Sequence, residues 1–262
     1  MCMKISKLTA FLLALFCLCG LWGCGTSQDE STSGQLIVGT SADYPPFEYH
    51  LSIGGQDIIT GADIQLAKKI AADMGKELVI KEIPFEQLLD ELNVGTVDMV
   101  ISNMVATDER LAEADASNSY YTEAAQRVVF LKKHTAVYTK FAALEGKKVG
   151  VQKGSIQMTL AGKQLPDCQV VLYSSVSDMF LALSAGDIDA VLVSGSTADS
   201  YVAINDTLNM IKEDYAAEDG SCVWVAKNDP KGLLESINTS VDYVKINNMM
   251  AGWLEEFSGL TN

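Results

Sequence analysis

The sequence has few of the residues that build metal sites and reactive thiol pairs. Its two histidines, His50 and His134, stand alone, and no Cys-x-x-Cys pair occurs. Four of the six cysteines lie within the first 24 residues, which leaves Cys168 and Cys222 far apart in the chain. We therefore expect no metal site, and for the two later cysteines we favour ordinary half-buried thiols over a disulfide.

Positive charge is also scarce. The chain has 19 Lys and Arg against 34 Asp and Glu, a formal net charge of -15, and no basic stripe offsets it. Such a surface repels nucleic acid, so we expect no nucleic-acid partner. The sequence lacks a Gly-x-Ser-x-Gly elbow, a phosphate-binding loop and a convincing carboxylate pair, so it predicts no catalytic residue and no cofactor.

The first 35 residues differ from the rest of the chain. Lys4 and Lys7 precede an apolar run from Leu8 to Leu21, which has the length of a signal-peptide core and is too short to span a bilayer. The end of this run, Leu-Trp-Gly-Cys, resembles the lipobox of bacterial lipoproteins. We therefore predict a signal peptide over residues 1–23, a lipid on Cys24 and a polar, flexible tether over residues 24–35.

The remaining chain alternates short apolar strands with amphipathic helices, which predicts an α/β fold with mostly parallel sheets. The alternation occurs twice, which indicates two lobes with a cleft at the carboxyl ends of the strands. The segment Ser41–Tyr49 contains Pro45 and Pro46 and is predicted to be a stiff loop without sheet pairing. The helix that follows is predicted over Gly61–Gly75, with Asp63 as its cap.

The strongest candidate binding residue is Arg110. A strand ends near Ser102, Thr107 is placed to cap the next helix, and Arg110 falls in the first turn of that helix. A cation in this position opposes the helix dipole, and a bound carboxylate would resolve the conflict. Alternatively, Arg110 is a surface residue paired with Asp108 or Glu113, and the spacing is compatible with both interpretations.

Two further turns are candidate ligand contacts. In Val149–Ile156 a strand runs into a glycine turn and a helix cap at Ser155, where main-chain N–H groups bind anions, although many such turns have no ligand. A second strand ends at Ser194, and Asp189 within it is expected to be structural. The aromatic residues Tyr44 and Phe85 lie near strand ends and form either core or the apolar walls of a cleft.

Together these segments resemble the extracellular solute-binding proteins of family 3, the polar amino-acid binders of ABC importers. The resemblance rests on Gly39–Tyr49 and Gly61–Ala67, on Asp98–Arg110, on Gly146–Ser155 and on Leu183–Val191, in that order. It implies a two-lobed clamp of the type II periplasmic-binding-protein class with a two-strand hinge. The first lobe would comprise residues 36–125 and 222–262, and the second residues 126–221.

The resemblance also implies a function and a site. The protein would be a monomer, lipid-anchored on the outer face of the cytoplasmic membrane, that delivers an amino acid or a related small carboxylate to an ABC permease and is not an enzyme. Arg110 would bind the ligand carboxylate with help from Thr107, Ser155 and Ile156, and Asn103 would offer a carbonyl to an ammonium group. The full set of implied ligand-binding residues is Tyr44, Phe85, Asn103, Val105, Thr107, Arg110, Gln152, Ser155, Ile156 and Ser194, with Tyr44 and Phe85 around the ligand and Gln152 facing its side chain.

Two positions depart from the family pattern. Ser194 stands where amino-acid binders usually have Asp, and Val105 where they usually have Ser or Thr. We hypothesise that the ligand lacks a free α-amine, or that a nearby acid such as Asp219 replaces the missing carboxylate. Two other functions known on this fold, a cyclohexadienyl-type dehydratase and a ligand-sensing module, are the alternatives.

Overall fold

The computed structural model describes residues 34–123, 125–165, 167–213 and 220–259, which belong to one compact unit, Ser33–Asn262. The predictions for the signal peptide, Cys24, most of the tether and Asp219 concern residues outside these ranges. None of the helices in the described ranges is long and apolar enough to cross a membrane.

The first of two large sheets has five strands: β1 (Gln35–Thr40), β5 (Glu77–Glu82), β6 (Met99–Val100), β7 (Ala114–Ala116) and β13 (Trp224–Ala226). They lie in the order β5-β1-β6-β13-β7, with β5 and β6 parallel to β1 and with β13 antiparallel to both β6 and β7. The sheet is therefore mixed, because the last strand returns from the far end of the chain.

The second large sheet has the strands β8 (Gln126–Leu131), β9 (Lys148–Gln152), β10 (Gln169–Tyr173), β11 (Ala190–Ser194) and β12 (Leu208–Met210). They lie in the order β10-β9-β11-β8-β12. Here β9 lies between the parallel strands β10 and β11, whereas β8 runs antiparallel to β11 and β12. We call residues 34–123 and 220–259 the first half and residues 125–165 and 167–213 the second half.

A small third sheet corrects the prediction of an unpaired loop around the two prolines. The strands β2 (Asp43–Tyr44), β3 (Glu48–Ile53) and β4 (Gln56–Thr60) pair antiparallel on either side of a cis Pro45–Pro46 bond. Within the predicted loop, Ser41, Ala42, the two prolines and Phe47 remain outside the ladder. The prolines therefore interrupt the pairing locally, and their neighbours still pair.

Eight α-helices cover the described sheets. The helix predicted over Gly61–Gly75 is found over Ala62–Asp73, and Phe85–Gln87 forms a 3₁₀ turn ahead of a short helix. The sequence-based prediction missed one helix, which directly follows β11. The helices are α1 (Ala62–Asp73), α2 (Leu88–Asn93), α3 (Asp108–Glu113), α4 (Ile156–Gln164), α5 (Val176–Ala185), α6 (Gly195–Ile204), α7 (Leu234–Ile246) and α8 (Met249–Phe257).

Apolar residues fill both faces of each large sheet. In the first half, Leu36 and Val38 of β1 pack with α1, α7 and α8 on one face, and Trp224 and Val100 pack with α2 on the other. In the second half, Val149 and the rest of its cluster pack with α4, while the opposite face packs with α5 and α6. Each sheet is therefore the middle layer between helices on its two faces, and this packing holds the strand ends in fixed positions.

Asp63 does not cap α1, so that prediction is wrong. The helix begins after Gly61 without a side-chain cap. Asp63 is instead fully buried, and its Oδ2 accepts hydrogen bonds from the N–H of Asn103 and the hydroxyl of Tyr120, both at 2.7 Å. An aspartate near the start of a helix resembles a cap in sequence. Asp63 instead points into the protein, where it bonds to residues that are distant in the chain.

Candidate functional site

A cleft lies between the two halves where the strands of both large sheets end. Ser41 and Ser102, which follow β1 and β6, line it from the first half. Gln152 and Ser194, the last residues of β9 and β11, line it from the second half. The cleft contains about 460 Å³ without protein atoms, a volume that includes space open to solvent. This is the place where open α/β sheets bind ligands.

Nine of the ten predicted ligand-binding residues line this cleft. The exception is Thr107, which is not among the lining residues and serves as the N-cap of α3, where its Oγ1 accepts the N–H of Arg110 at 3.3 Å. The structure thus brings residues from five separate parts of the chain to one place, and their contact with a ligand stays a prediction. The nine are Tyr44, Phe85, Asn103, Val105, Arg110, Gln152, Ser155, Ile156 and Ser194.

Arg110 spans the cleft. Its Nη1 donates to the carbonyl of Val105 at 2.7 Å, and its Nη2 donates to the carbonyl of Gly154, across in the second half, at 2.8 Å. The guanidinium carbon lies 5.4 Å from the centre of the Phe85 ring. Burial lowers the pKa of Arg110 to about 10, so the group remains a cation at neutral pH and lacks much of its water shell. Its described hydrogen bonds go to carbonyls, not to Asp108 or Glu113.

Asn103 and Val105 form the floor of the cleft beside Arg110. Asn103 has a positive φ of 40°, and its side-chain oxygen accepts the hydroxyl of Ser221. Its N–H donates to the buried Asp63, which fixes the main chain at this point. Val105 contributes its carbonyl to Arg110 and pairs with Ser221 through an isolated bridge. The floor is therefore held mainly by main-chain contacts.

The hydroxyl of Tyr44 joins the two halves. It accepts the N–H of Ser194 at 2.8 Å and the side-chain amide of Gln157 at 3.3 Å. Gln157 also donates to the side-chain oxygen of Gln126 at 2.7 Å. Burial raises the pKa of Tyr44, so its hydroxyl stays neutral. Tyr44 is thus both an apolar wall and a polar anchor between the halves.

The second half supplies a helix start and an amide group. Ser155 caps α4 by accepting the N–H of Met158, and its hydroxyl donates to the carbonyl of Gln152. The first N–H groups of α4, including that of Ile156, have no partner within the helix. Among the described atoms, Nε2 of the buried Gln152 has no hydrogen-bond partner. An unpaired buried donor costs free energy unless a bound molecule accepts from it.

Three carboxylates in the cleft were missed by the sequence-based prediction. Asp43, Glu48 and Glu123 all line it. Burial, and next the charge of Asp63, raise the pKa of Glu48 well above its usual range, and its Oε1 accepts the hydroxyl of Ser102 at 2.9 Å. The available signal was the position of Asp43 and Glu48 on either side of the Pro-Pro-Phe segment, and the prediction of an unpaired loop there did not use it.

Contacts at the edge of the cleft also join the halves. Oδ2 of Asp43 accepts the N–H of Val176, the first residue of α5, at 2.7 Å. Burial raises the pKa of Asp43 to about 6. Oε1 of Glu86 accepts the hydroxyl of Ser174 at 2.7 Å. Both are bonds from an acid of the first half to the β10–α5 turn of the second, so the structure corresponds to a closed cleft.

Asp189 is structural, in agreement with its predicted role. Its carboxylate accepts the N–H of Lys148 at 2.9 Å and the hydroxyl of Tyr138 at 3.1 Å. Cys168 and Cys222 form no disulfide. In the described part of the chain, no group of three or more His, Cys, Asp and Glu residues is arranged to hold a metal ion.

The comparisons with known proteins agree with this geometry. Residues 36–259 match the family of bacterial extracellular solute-binding proteins, family 3. The chain is 35% identical to the arginine-binding extracellular protein ArtP of Bacillus subtilis (83% of this chain, 86% of that protein) and 34% identical to a probable histidine-binding protein of Campylobacter jejuni (91% and 93%). The structure resembles an L-arginine-bound amino acid ABC transporter substrate-binding protein of Streptococcus pneumoniae, with a TM-score of 0.82, 31% identity and coverage of 87% and 95%.

Proposed function

Because the chain belongs to the bacterial extracellular solute-binding proteins, family 3, we propose that its cleft binds an amino acid or a closely related small carboxylate for delivery to an ABC permease. The predicted two-lobed, type II periplasmic-binding-protein fold is confirmed by the solved structures it resembles. The single observation that carries the proposed ligand class is the position of Arg110 between the two halves.

The guanidinium of Arg110 is suited to hold a carboxylate. A guanidinium has five N–H donors, and Arg110 uses Nη1 and Nη2 for one carbonyl each. Burial removes part of the water around the group, which lowers its pKa, and the group lines the cleft. An anionic ligand replaces the lost water with charge-assisted hydrogen bonds, each contributing about 1.5–3 kcal/mol.

The opposite wall supports the same ligand class. The N–H groups at the start of α4, near Ser155 and Ile156, attract the same anion, since helix N-termini carry partial positive charge. The helix α3, which carries Arg110, has only six residues, so the guanidinium and not that helix is the main source of attraction on its side. The amide of Gln152 then reaches an oxygen of the ligand.

The experiment that tests the ligand class is a thermal-shift screen of L-amino acids and small carboxylates, followed by calorimetry of L-arginine, the ligand of a structural relative. Arg110→Ala should weaken binding of any ligand found by about 100-fold, since roughly 3 kcal/mol of charge-assisted bonding is lost. Lys133→Ala, which removes an exposed cation away from the cleft, should leave the affinity unchanged. Unchanged affinity in Arg110→Ala would show that the carboxylate binds elsewhere.

The relatives are transport proteins, and we propose that this chain likewise has no catalytic role. Glu48, a buried acid in the cleft, already accepts the hydroxyl of Ser102, and its pKa is raised by burial and by the charge of Asp63. The purified protein should not turn over prephenate or arogenate, and release of the ring-aromatised product would contradict this proposal.

We also propose that the protein is anchored by lipid on Cys24 after removal of residues 1–23, with residues 24–35 as the tether. Residues 36–125 and 222–262 then form one lobe and residues 126–221 the other, and ligand binding closes the hinge between them. Cys24→Ala should move the protein from the membrane fraction to the soluble fraction of expressing bacteria. Retention of the variant in the membrane fraction would exclude this anchor.

A further inference from the structure

Three acids line the cleft, and each already has partners within the protein. Asp43 accepts the N–H of Val176 across the cleft edge, and Glu48 accepts the hydroxyl of Ser102. Glu123, which is 7% exposed, is the third, and it lines the same cleft as Arg110. The cleft thus presents a guanidinium and a further carboxylate, which are the two charges that a zwitterion needs.

Glu123 lies against the start of α6. Its Oε2 accepts the N–H of Ser196, in the first turn of that helix, at 3.3 Å. The positive end of a ten-residue helix favours a negative charge at this position.

Gly195 makes room for this arrangement. A Cβ atom built on Gly195 would lie 3.3 Å from Oε1 of Glu123 and 3.0 Å from the carbonyl of Ala125. A larger residue at the start of α6 would push the Glu123 carboxylate away from the helix. The missing side chain at position 195 thus allows the close approach of Glu123.

Ser194 cannot take the same role. Its hydroxyl donates to Oγ1 of Thr197 at 3.0 Å and accepts the N–H of Thr197, so the side chain is used as the cap of α6. Its own N–H is bonded to Tyr44. At this end of the cleft the charge that attracts a cation is therefore the carboxylate of Glu123.

We propose that Glu123 binds the α-ammonium group of the ligand, so that the protein selects α-amino acids over the corresponding acids without an amine. The proposal rests on the proposed function, in which Arg110 holds the α-carboxylate. It decides between the two hypotheses raised by Ser194, in favour of a ligand with a free amine. It also differs from the hypothesis that Asp219 replaces the missing carboxylate.

The test compares four probes by calorimetry: L-arginine, 5-guanidinopentanoate without the α-amine, agmatine without the carboxylate, and L-citrulline with a neutral side chain. The wild-type protein should bind L-arginine at least 30-fold more tightly than 5-guanidinopentanoate. Glu123→Gln should reduce this ratio below threefold and should weaken L-arginine and L-citrulline to the same extent. Glu235→Gln, a matched change at an exposed acid outside the cleft, should keep the wild-type ratio.

A second variant separates recognition from folding. Glu123→Asp keeps the charge but withdraws it by one methylene, so it should weaken L-arginine while keeping more of the preference for the amine than Glu123→Gln does. Melting curves without ligand verify that both variants are folded. If Glu123→Gln fails to fold, the test uses the ratio of the affinities for L-arginine and 5-guanidinopentanoate in Glu123→Asp. A ratio equal to that of the wild-type protein would then overturn the proposal.

The other outcomes are also decisive. A ratio that survives Glu123→Gln would overturn the proposal. Loss of L-arginine binding with retained L-citrulline binding would overturn it as well, because Glu123 would then bind the side-chain cation. Neither result contradicts the proposed function. That function fails if Arg110→Ala binds L-arginine with unchanged affinity. If the wild-type protein binds no carboxylate at all, both the proposed function and the role of Glu123 are overturned.

Discussion

The carboxylate of Asp43 accepts the main-chain N–H of Val176 at 2.7 Å, and this bond connects strand β2 of the first half with the start of α5 in the second. Ser41 and Ser175 add hydrogen bonds to the same carboxylate. A clamp gains affinity for its ligand from every contact that exists only when it is closed, because such contacts shift the population towards the binding-competent form.

Asp43→Ala should therefore weaken ligand binding about tenfold, because a hydrogen bond to a charged group contributes about 1.5–3 kcal/mol and part of it is replaced by water. Calorimetry gives the affinity, and small-angle scattering with saturating L-arginine gives the compaction. The control is Asp115→Ala, which removes a similar bond, from the N–H of Asn228, within the first half. Equal effects of both variants on affinity would argue against a closure contact.

A second prediction concerns the dependence of stability on pH. Burial raises the pKa of both Asp43 and Asp63 to about 6. Between about pH 4 and pH 6 the folded protein then binds more protons at these groups than the unfolded chain does. Their contribution to the free energy of unfolding therefore falls as the pH rises through this window, and it is constant above it.

Asp63→Asn should remove its share of this change, on the order of 1–3 kcal/mol between pH 4 and pH 7. An asparagine oxygen still accepts from the N–H of Asn103 and the hydroxyl of Tyr120. Urea unfolding at several pH values measures the difference. Asp187→Asn, at an exposed turn, serves as the control and should follow the wild-type profile; a variant Asp63→Asn with that same profile would refute the assignment.

The third prediction compares two glycines. Gly61 has a φ of 129°, and a Cβ atom there would lie 2.1 Å from the carbonyl oxygen of Phe47. Gly61→Ala should therefore destabilise the protein by more than about 2 kcal/mol, because the main chain cannot keep this conformation with a side chain. Gly252 lies in α8 with no atom within 4 Å of a built Cβ atom.

Gly252→Ala should be neutral or should stabilise by about 0.5–1 kcal/mol, since alanine favours the helix. Chemical denaturation of both variants gives the two values. A similar free energy of unfolding for the two variants would show that the approach of Phe47 is not a constraint on residue 61.

Much of the fold could be predicted from the sequence because local signals coincide with it. The helix predicted over Gly61–Gly75, for example, is observed over Ala62–Asp73. The caps at Thr107 and Ser155 were also predicted and are confirmed, since a capping residue acts on a backbone N–H three positions away.

The errors arose where a residue serves a distant partner. Asp63 has the sequence position of a cap, but it bonds to Asn103 and Tyr120, 40 and 57 residues away. The strand β2 next to the prolines depends on pairing with β3, and the helix α6 begins with glycine and small polar residues that look like a loop. These features depend on contacts that no local pattern contains.

By itself, the sequence determined the alternation of strands and helices, the caps at Thr107 and Ser155 and the candidate anion-binding residue Arg110, because periodicity, capping and charge act over a few residues. Only the tertiary structure decided that Arg110 bonds to Gly154 across the cleft, that Tyr44 bonds to Ser194, and that Glu123 lies beside the start of α6. The physical reason is that these contacts join segments 44 to 150 residues apart, whose meeting is set by how the two sheets pack.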